Sequence, residues 1–389
     1  MKKVLITGGA GFIGNHIVNY LSKLNEYDIT VLDCFSPQIH GESYLDSYLY
    51  KGIVGKVKLI KGDVRNREDL KKAIEGNEYI IHLAAETGTG QSMYELNRYT
   101  DVNIMGTSNL FDIIVNEKIK IKKIILASSR SIYGEGSYNC PSHGTVFPKS
   151  REIEDMEKGV FFNRCPICGQ KVELKSTNET SLIKPISFYA YTKFAQEQMV
   201  EMMCSILGIN YTIFRYQNVY GAGQSLNNPY TGILSIFSKL LLVDKPINIF
   251  EDGLESRDFV HVSDIAKFTC LALENDHSNS QIINIGTGVN TSVIDVANIL
   301  KDFYKSNSII QISGDFRKGD IRHNRADITK LKTIFGCEPQ LGFEQGISEF
   351  SKWVSDEYKQ NKSDNASDNY ENSIRELINT GIFIKSTKE

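Results

Sequence analysis

Residues 3–14 of the chain read KVLITGGAGFIG. The apolar run at 3–7 predicts a buried first strand, and residues 15–24 have the apolar spacing of a helix. Between them, Gly8 permits a tight turn, Gly11 lets the backbone approach a pyrophosphate, and Gly14 allows the helix to pack closely on the strand. The free N–H groups at the start of a helix favour an anion. The stretch, which includes Phe12 and Ile13, therefore predicts a dinucleotide site.

The next strand supplies a carboxylate for the same site. Residues 28–33 read DITVLD and predict a second strand that ends at Asp33. A carboxylate at this place can accept hydrogen bonds from the ribose hydroxyls of NAD, and it would repel the additional phosphate of NADP. The sequence therefore predicts NAD as the cofactor.

Apolar β-rich runs and stretches with helical spacing alternate through the first half of the chain. Further strands are predicted at residues 57–62, 79–84, 122–128 and 211–215, with helices at 69–75, 94–117 and 187–207. This alternation predicts an α/β fold, a Rossmann-type doubly wound parallel sheet. Strands at 246–251, 282–286 and 309–312 and helices at 293–303 and 343–358 predict a smaller C-terminal α/β domain.

The composition excludes several classes of protein. The 389 residues include 44 Lys and Arg against 47 Asp and Glu, a formal net charge of −3, which argues against nucleic acid or an anionic membrane as the partner. No apolar run approaches the roughly 18 to 20 residues of a membrane helix. The low cysteine density indicates a reducing compartment, and the N-terminus reads as a strand instead of a signal peptide. We therefore expect a cytoplasmic protein.

A second pattern suits proton transfer. Tyr189 and Lys193 stand four residues apart in the sequence YAYTK, so they share one face of a helix. A nearby ammonium lowers the pKa of a phenol and makes it a better base for an alcohol proton. The predicted strand at 122–128 leads into Ser129, at the end of the sheet where such folds bind ligands. These residues predict an active site for alcohol chemistry.

The chain contains a series of short motifs: TGGAGFIG at 7–14, Asp63-Val64, Leu83-Ala84-Ala85, Asn103 with Gly106-Thr107, SSRSIYG at 128–134, YAYTK at 189–193, RYQNVYG at 215–221, RDFVHVSD at 257–264 and RKGD at 317–320. In this order, over about residues 1–350, they resemble the extended short-chain dehydrogenase/reductase family. Within that family they are similar to the NAD-dependent nucleotide-sugar epimerases and dehydratases.

The resemblance implies roles for particular residues. Ser129, Tyr189 and Lys193 would form the catalytic triad. Asn218, Arg257 and Arg317 would bind the diphosphate of a nucleotide sugar, since a protein of this charge needs fixed guanidinium donors for two phosphates. Thr87 belongs to a loop near the sugar. The residues that would contact NAD are Gly8, Gly11, Phe12, Ile13, Gly14, Asp33, Asp63, Val64, Leu83, Ala84, Ala85, Asn103, Tyr189 and Lys193.

The two residues after Ser129 bear on the reaction. Relatives that eliminate water carry an Asp-Glu pair there, whereas this chain has Arg130 and Ser131. The resemblance therefore implies a 4-epimerase, in which Tyr189 takes the hydroxyl proton while hydride passes to NAD and returns to the opposite face. Residues 32–41 and 215–237 are similar to a subgroup that acts on dTDP-L-rhamnose, a dTDP-6-deoxyhexose. A UDP-hexose 4-epimerase, a dehydratase or reductase, and an NAD-sensing scaffold protein remain alternatives.

The interval between Ser129 and Tyr189 is longer than usual in the family and carries a cysteine-rich insertion. Cys140 and His143 form one short-spaced pair, and Cys165 and Cys168 form another in the sequence CPICG. Two such pairs suit a closed tetrahedral zinc site, which predicts a structural zinc. A loop with free thiols is the alternative. Because the insertion lies between two catalytic residues, we hypothesise that it forms a rim or lid over the substrate.

These patterns divide the chain into units. By family analogy, the helices at 94–117 and 187–208 would pair across a homodimer. The predicted units are an NAD-binding Rossmann domain at 1–139, 176–217 and 258–285, a zinc-binding insertion at 140–175, a nucleotide-sugar-binding domain at 218–257 and 286–358, and a polar linker and tail at 359–389. Within the last unit, residues 359–372 predict a solvated linker, and a short amphipathic segment is predicted after them.

Overall fold

A computed structural model describes residues 1–226, 228, 232–360 and 366–386. Within these residues, seven parallel strands form one sheet, with the N-terminal strand in its interior. The strands in spatial order are Gln281–Ile285, Asn210–Tyr216, Lys123–Ser129, Tyr79–His82, Lys2–Thr7, Tyr27–Asp33 and Lys58–Lys61. The strand order reverses between Lys2–Thr7 and Tyr79–His82, where sheets of this kind bind ligands. The predicted Rossmann-type parallel sheet is confirmed.

Alternate residues of the first strand face opposite layers of helix. Ile6 packs with Ile17 on one side, and Leu5 packs with Leu110 on the other. All four side chains are fully buried, and each contributes about 1.5–3 kcal/mol by its burial. The helices on the Ile6 side are Phe12–Leu24, Val262–Leu271 and Thr329–Phe335, and those on the Leu5 side are Arg67–Ile74, Gly106–Asn116 and Phe188–Leu207.

The long helix predicted at 94–117 is interrupted. A short helix, Leu96–Tyr99, leads into a π-helical segment, Thr100–Met105, and only then into the α-helix Gly106–Asn116. π-Helical turns occur most often at functional sites. Here the segment carries Asn103, whose side chain is fully buried.

The C-terminal elements have an apolar cluster of their own, which includes Phe237, Leu300 and Phe350. Its helices are Ile233–Leu242, Val293–Tyr304 and Phe343–Gln360. Short strands pair beside them: Asn218–Tyr220 with Phe259–His261, Ile247–Ile249 with Ile310–Ile312, and Ser256–Arg257 with Thr291–Ser292.

The insertion forms a small antiparallel sheet of its own. Its strands are Gly144–Val146, Tyr138–Cys140 and Glu173–Leu174, and its helix is Ile153–Glu157. The apolar cluster at its centre is small and consists of Tyr138, Cys140, Val146, Cys165 and Val172, with Leu174 at its edge.

The short amphipathic segment expected after residue 372 is part of a helix that begins before that residue. A helix spans Ala366–Asn379, and the strand Phe383–Ile384 pairs with Phe316–Arg317. Leu377 and Phe383 are buried, with 2% and 5% of their surface exposed. These two apolar side chains thus pack against the rest of the molecule, although the mean composition of the segment is polar. Residues 361–365 and 387–389 lie outside the described part of the chain.

Among the described residues, no helix is both long enough and apolar enough to cross a membrane.

Candidate active site

The glycine turn has no room for side chains. Gly8 has a φ of +69°, and a Cβ there would lie 2.8 Å from the backbone nitrogen of Ala84. A Cβ on Gly14 would lie 2.5 Å from the Cα of Gly9. Gly11 is the N-cap of the helix Phe12–Leu24 and provides no side-chain cap, so the first N–H groups of the helix stay available to an anion.

Asp33 is fixed at the end of its strand. Its carboxylate accepts hydrogen bonds from the backbone N–H of Ala10 at 3.0 Å and of Phe35 at 2.9 Å. Burial raises the pKa of this carboxyl, while the backbone donors and His40 act in the opposite direction. The Nε2 atom of His40 lies 4.0 Å from Asp33. Sequence reasoning missed His40, which adds a second polar side chain to the wall facing a ribose.

A cavity of about 390 Å³ brings together nearly all the residues predicted to bind the cofactor. Asn103 does not line this cavity. Its side chain accepts a hydrogen bond from the N–H of Glu86 at 2.8 Å and donates to Thr192 at 2.9 Å, so it ties the loop after the fourth strand to the helix of the triad. The predicted cofactor residues in the wall are Gly8, Gly11, Phe12, Ile13, Gly14, Asp33, Asp63, Val64, Leu83, Ala84, Ala85, Tyr189 and Lys193.

The predicted triad meets at the carboxyl end of the sheet. Ser129 ends the strand Lys123–Ser129, and Tyr189 lies in the first turn of the helix Phe188–Leu207. Burial raises the pKa of Tyr189, while a hydrogen bond with Ser129 and the charge of Arg130 act to lower it. The cation that acts on the pKa of Tyr189 in this structure is Arg130, and the effect of Lys193 on this pKa stays a prediction.

Lys193 instead begins a chain of buried hydrogen bonds. Its ammonium donates to Gln196 at 2.6 Å, and Gln196 donates to the hydroxyl of Thr107 at 2.8 Å. His82 contacts Thr107 at 3.1 Å through Nε2 and Thr7 at 2.7 Å through Nδ1. Burial lowers the pKa of His82 to about 3, so the ring is neutral. This series of hydrogen bonds connects Lys193 to Thr7, the residue directly before the glycine turn.

Lys193 makes stability depend on pH. Burial lowers its pKa from the ordinary 10.5 to about 7 in the folded chain. Between these values the unfolded chain binds more protons than the folded chain, so the free energy of unfolding rises as the pH increases from about 7 to about 10.5. We expect the Tm of NAD-stripped Lys193→Met protein to increase less across this range than that of the wild type. Thermal denaturation at a series of pH values measures both slopes.

The control for this experiment is Lys352→Met, which removes an exposed lysine from the helix Phe343–Gln360. It should leave the pH dependence of the wild type unchanged. Equal slopes of Tm against pH for Lys193→Met and the wild type would contradict the lowered pKa of Lys193.

A second cavity of about 370 Å³ adjoins the first, and both have Ser129 and Tyr189 in their walls. The two hydroxyls therefore lie where a ligand in one cavity would meet a ligand in the other. All five residues predicted to bind the substrate line this second cavity: Thr87, Ser129, Asn218, Arg257 and Arg317.

The two arginines are held at the cavity by different contacts. Arg257 donates to the main-chain carbonyls of Ser256 at 2.9 Å, Arg322 at 3.1 Å and Ile321 at 2.9 Å. In the part of the chain that the structure describes, it has no carboxylate partner. Arg317 pairs with Asp320 at 3.0 Å. The site thus presents an uncompensated guanidinium, which suits a phosphate.

Three further residues of this cavity were not among the predicted site residues. Arg130 lines the wall, and burial and the charge of Arg257 lower its pKa to about 9, so it remains a cation at neutral pH. No ion pair to Arg130 occurs among the described residues. Ile374 and Leu377, from the segment interpreted as a tail, add an apolar surface. Their spacing on a helix was the available signal.

The four predicted metal ligands lie together. Their ligand atoms are all within 4.8 Å of one another. The sulfur of Cys140 lies 3.7 Å from that of Cys168 and 3.5 Å from Nδ1 of His143, and Cys165 lies 3.7 Å from the same nitrogen. Bonds of about 2.0–2.3 Å to a tetrahedral zinc place ligand atoms at about such separations.

The insertion does not cover the substrate cavity. No residue of 140–175, all of which the structure describes, is among the residues that line either cavity. The hypothesis of a lid is therefore not supported. The insertion instead packs behind the cavity wall, where Met156 and Phe161 contact Phe316 in a buried cluster.

Comparisons with known proteins agree with this geometry. A model of the NAD dependent epimerase/dehydratase family matches residues 4–154 and 150–286. The chain is 37% identical over 359 residues to a dTDP-L-rhamnose 4-epimerase of Burkholderia thailandensis, covering 92% of this chain and 96% of that protein. It is 29% identical over 377 residues to a UDP-glucuronate 4-epimerase of Thermodesulfobacterium geofontis, covering 93% and 99%.

A solved structure with the same fold contains ligands. The UDP-glucuronic acid 4-epimerase of Bacillus cereus, in complex with UDP-glucuronic acid and NAD, superimposes with a TM-score of 0.75 at 26% identity. The match covers 92% of this chain and 100% of that one.

Proposed function

The chain belongs to the NAD dependent epimerase/dehydratase family, and we propose that it inverts C4 of a dTDP-6-deoxyhexose such as dTDP-L-rhamnose. It is an NAD-dependent isomerase of the nucleotide-sugar 4-epimerase type. The observation that carries the proposal is the sharing of Ser129 and Tyr189 by two adjoining cavities, one around the glycine turn and one around the arginines.

The reaction needs a base and a donor at the sugar oxygen, and this chain provides both. NAD, when bound, accepts the hydride and later returns it. Tyr189 removes the proton from the C4 hydroxyl, and Ser129 donates a hydrogen bond to the resulting oxygen. Arg257 and Arg317 hold the diphosphate, so the keto sugar can turn its other face to the cofactor while it stays bound. Tyr189 then returns the proton, and the product differs from the substrate only at C4.

Dehydration fits the site less well. Arg130 and Ser131 occupy the positions after Ser129 and line the cavity, so the acid and base for elimination are missing there. The carboxyl groups in the cavity wall are Glu255 and Asp320. Asp320 pairs with Arg317, and Glu255 stands two residues before Arg257 in the chain, so both carboxyl groups belong to the part of the wall proposed to bind the diphosphate.

The identity of the sugar is supported by the cavity wall and by one relative. Ile374 and Leu377 present apolar surface next to the Thr87 loop, which suits the methyl group of a 6-deoxy sugar. The relative at 37% identity is named for dTDP-L-rhamnose.

One observation favours a second candidate, a UDP-uronate 4-epimerase. Arg130 is a half-buried cation in the sugar cavity without an ion pair among the described residues, and a uronate would offer it a carboxylate. Two relatives named as UDP-glucuronate 4-epimerases are 29% and 26% identical to this chain.

A panel of dTDP-, UDP-, GDP- and CDP-sugars separates these functions. Mass spectrometry and NMR of the products should reveal an isomer of unchanged mass, inverted at C4, with dTDP-L-rhamnose. The same result with UDP-glucuronate alone would favour the second candidate. Loss of water from any substrate would overturn the proposal.

We further propose that Cys140, His143, Cys165 and Cys168 bind one structural zinc. The support is the closeness of their ligand atoms and the small size of the apolar cluster around them, which is insufficient to hold the insertion on its own. With all four positions filled by protein, this zinc would not take part in the chemistry.

Zinc content tests this site. We expect about one zinc per chain in the purified protein, and little in Cys168→Ser, because the loss of a thiolate opens the ligand set. Elemental analysis measures both values, and Cys337→Ser, outside the cluster, is the control. Equal zinc in Cys168→Ser and the wild type would contradict the proposed ligands.

We also propose that two copies of the chain form a homodimer, in which the helices at 94–117 and 187–208 make the contact. Large apolar side chains are exposed on this surface, as expected of an unpartnered helix pair. They are Leu96, Met105, Val115, Tyr191, Met202 and Ile206.

We assign the protein to the cytoplasm. All seven cysteines lie in the described part of the chain and none of them forms a disulfide there, which supports a reducing compartment.

A further inference from the structure

We propose that the metal-bound insertion holds Arg257 and Arg317 in position, so that the metal state sets the affinity for the diphosphate of the substrate. This rests on the proposed function in two respects, the assignment of the two arginines to a diphosphate and the zinc site in the insertion. The insertion would act from behind the cavity wall, through a buried network of charged side chains.

The first branch of the network begins next to the metal ligands. Tyr138 and Asn163 each precede a ligand, Cys140 and Cys165, by two residues. Both reach one oxygen of Glu135, the hydroxyl of Tyr138 at 3.4 Å and the amide of Asn163 at 2.9 Å. Fixing the two cysteines on one ion therefore fixes the two donors to Glu135.

Glu135 in turn positions Arg257 through the backbone of a neighbouring segment. The same oxygen of Glu135 accepts the backbone N–H of Arg322 at 3.0 Å. The carbonyls of Ile321 and Arg322 in turn accept the guanidinium donors of Arg257, at 2.9 and 3.1 Å. A shift of Glu135 would therefore move the segment that orients Arg257.

The second branch begins at Arg151, between the two ligand pairs. Its guanidinium pairs with Glu251 at 2.5 Å and donates to the carbonyl of Asp320 at 2.8 Å. The side chain of Asp320 pairs with Arg317 at 3.0 Å. Arg151 thus fixes the backbone of the residue that orients the second arginine of the diphosphate site.

The charged side chains of this network are almost completely buried. The side chains of Arg151, Glu135, Glu251 and Arg322 are 3%, 1%, 2% and 5% exposed. A buried charge that loses its partner is strongly unfavourable, so a loosened insertion would force the segment around Asp320 to rearrange. Around the ligands themselves the apolar cluster is small, so the metal would contribute much of the local order there.

The first experiment removes the metal from the whole enzyme. A chelator strips the zinc, and calorimetry measures the Kd of dTDP, with UDP in parallel, before and after zinc is restored. We expect the Kd to increase about tenfold or more, the size of one lost charge-assisted hydrogen bond to phosphate, and to recover with zinc. Bound NAD should be retained and kcat should change much less than KM.

Substitutions test the network while the ligands stay intact. Asn163→Ala removes one donor to Glu135, and we expect an increased Kd for dTDP and an increased KM at unchanged zinc content. Arg164→Met is the matched control, because Arg164 is an exposed neighbour in the same insertion that pairs with Asp155 at 2.9 Å. It should leave both constants at their wild-type values. If the stripped enzyme aggregates, this pair of variants still decides the question.

Several results would overturn the inference. They are an unchanged Kd for dTDP in a folded, zinc-free enzyme, a parallel loss of NAD and kcat with the nucleotide affinity, and equal effects of Asn163→Ala and Arg164→Met. A zinc effect on dTDP affinity in a protein that epimerises no sugar of the panel would support the inference and contradict the proposed function. The two failures are thus distinguishable.

Discussion

Tyr189→Phe is expected to reduce kcat by about a hundredfold to ten-thousandfold, the range for loss of a positioned acid or base. In the proposed reaction the phenol exchanges a proton with the sugar hydroxyl, and phenylalanine keeps the ring that packs edge-on to Tyr99, with centroids 6.4 Å apart. NAD should therefore remain bound and the fold should remain intact. Product formation under saturating nucleotide sugar, with NAD content measured alongside, checks this expectation.

Tyr191→Phe is the matched control for this variant. Tyr191 lies on the same helix, two residues further on, and 55% of its surface is exposed. It should retain wild-type kcat. A Tyr189→Phe enzyme that keeps more than about a tenth of wild-type kcat would remove Tyr189 from the role of base. Loss of turnover together with loss of NAD would show a defect in binding instead.

Gly14→Ala is expected to reduce the affinity for NAD about 5- to 150-fold. The added Cβ would lie 2.5 Å from the Cα of Gly9 and 2.6 Å from the carbonyl oxygen of Gly8, both backbone atoms. The turn cannot retreat freely, because Gly8 is itself in close contact with the backbone of Ala84. Overpacking of this kind costs about 1–3 kcal/mol, and the displaced turn would no longer fit a pyrophosphate.

NAD retained after gel filtration, and its Kd by calorimetry, measure the effect of Gly14→Ala. The control is Gly342→Ala, because a Cβ on Gly342 would meet no atom within 4 Å. That variant should bind NAD as the wild type does. Full NAD content in Gly14→Ala would mean that the turn is not the pyrophosphate site.

Local patterns were sufficient for the sheet and for the glycine turn. The first strand carries three consecutive apolar residues at 4–6, which face both sides of the sheet, and Gly8 follows the strand at once, so its burial and the following turn can both be predicted from neighbouring residues. The meeting of Ser129 with Tyr189 was also predictable, since both lie in motifs whose places in the fold the family resemblance supplies.

Contacts between distant parts of the chain were not predictable in this way. The amphipathic pattern after residue 372 predicts that this segment has an apolar face, but the partners against which Leu377 and Phe383 are buried are determined only in the folded molecule. Lys193 donates to Gln196 because of the side chains packed around it, which the spacing to Tyr189 does not reveal. Arg151 and Glu135 are unremarkable in the sequence and become a buried pair, 3.6 Å apart, only when the insertion docks.

The most direct test of the account follows the hydrogen at C4. A nucleotide sugar labelled with deuterium at C4, beginning with dTDP-L-rhamnose, is incubated with the enzyme in ordinary water, and the product is analysed by NMR and mass spectrometry. The account predicts a product that is inverted at C4 and still carries the deuterium there, because the hydride is taken up and returned within one site. Loss of the deuterium to solvent, or loss of water from the sugar, would contradict it.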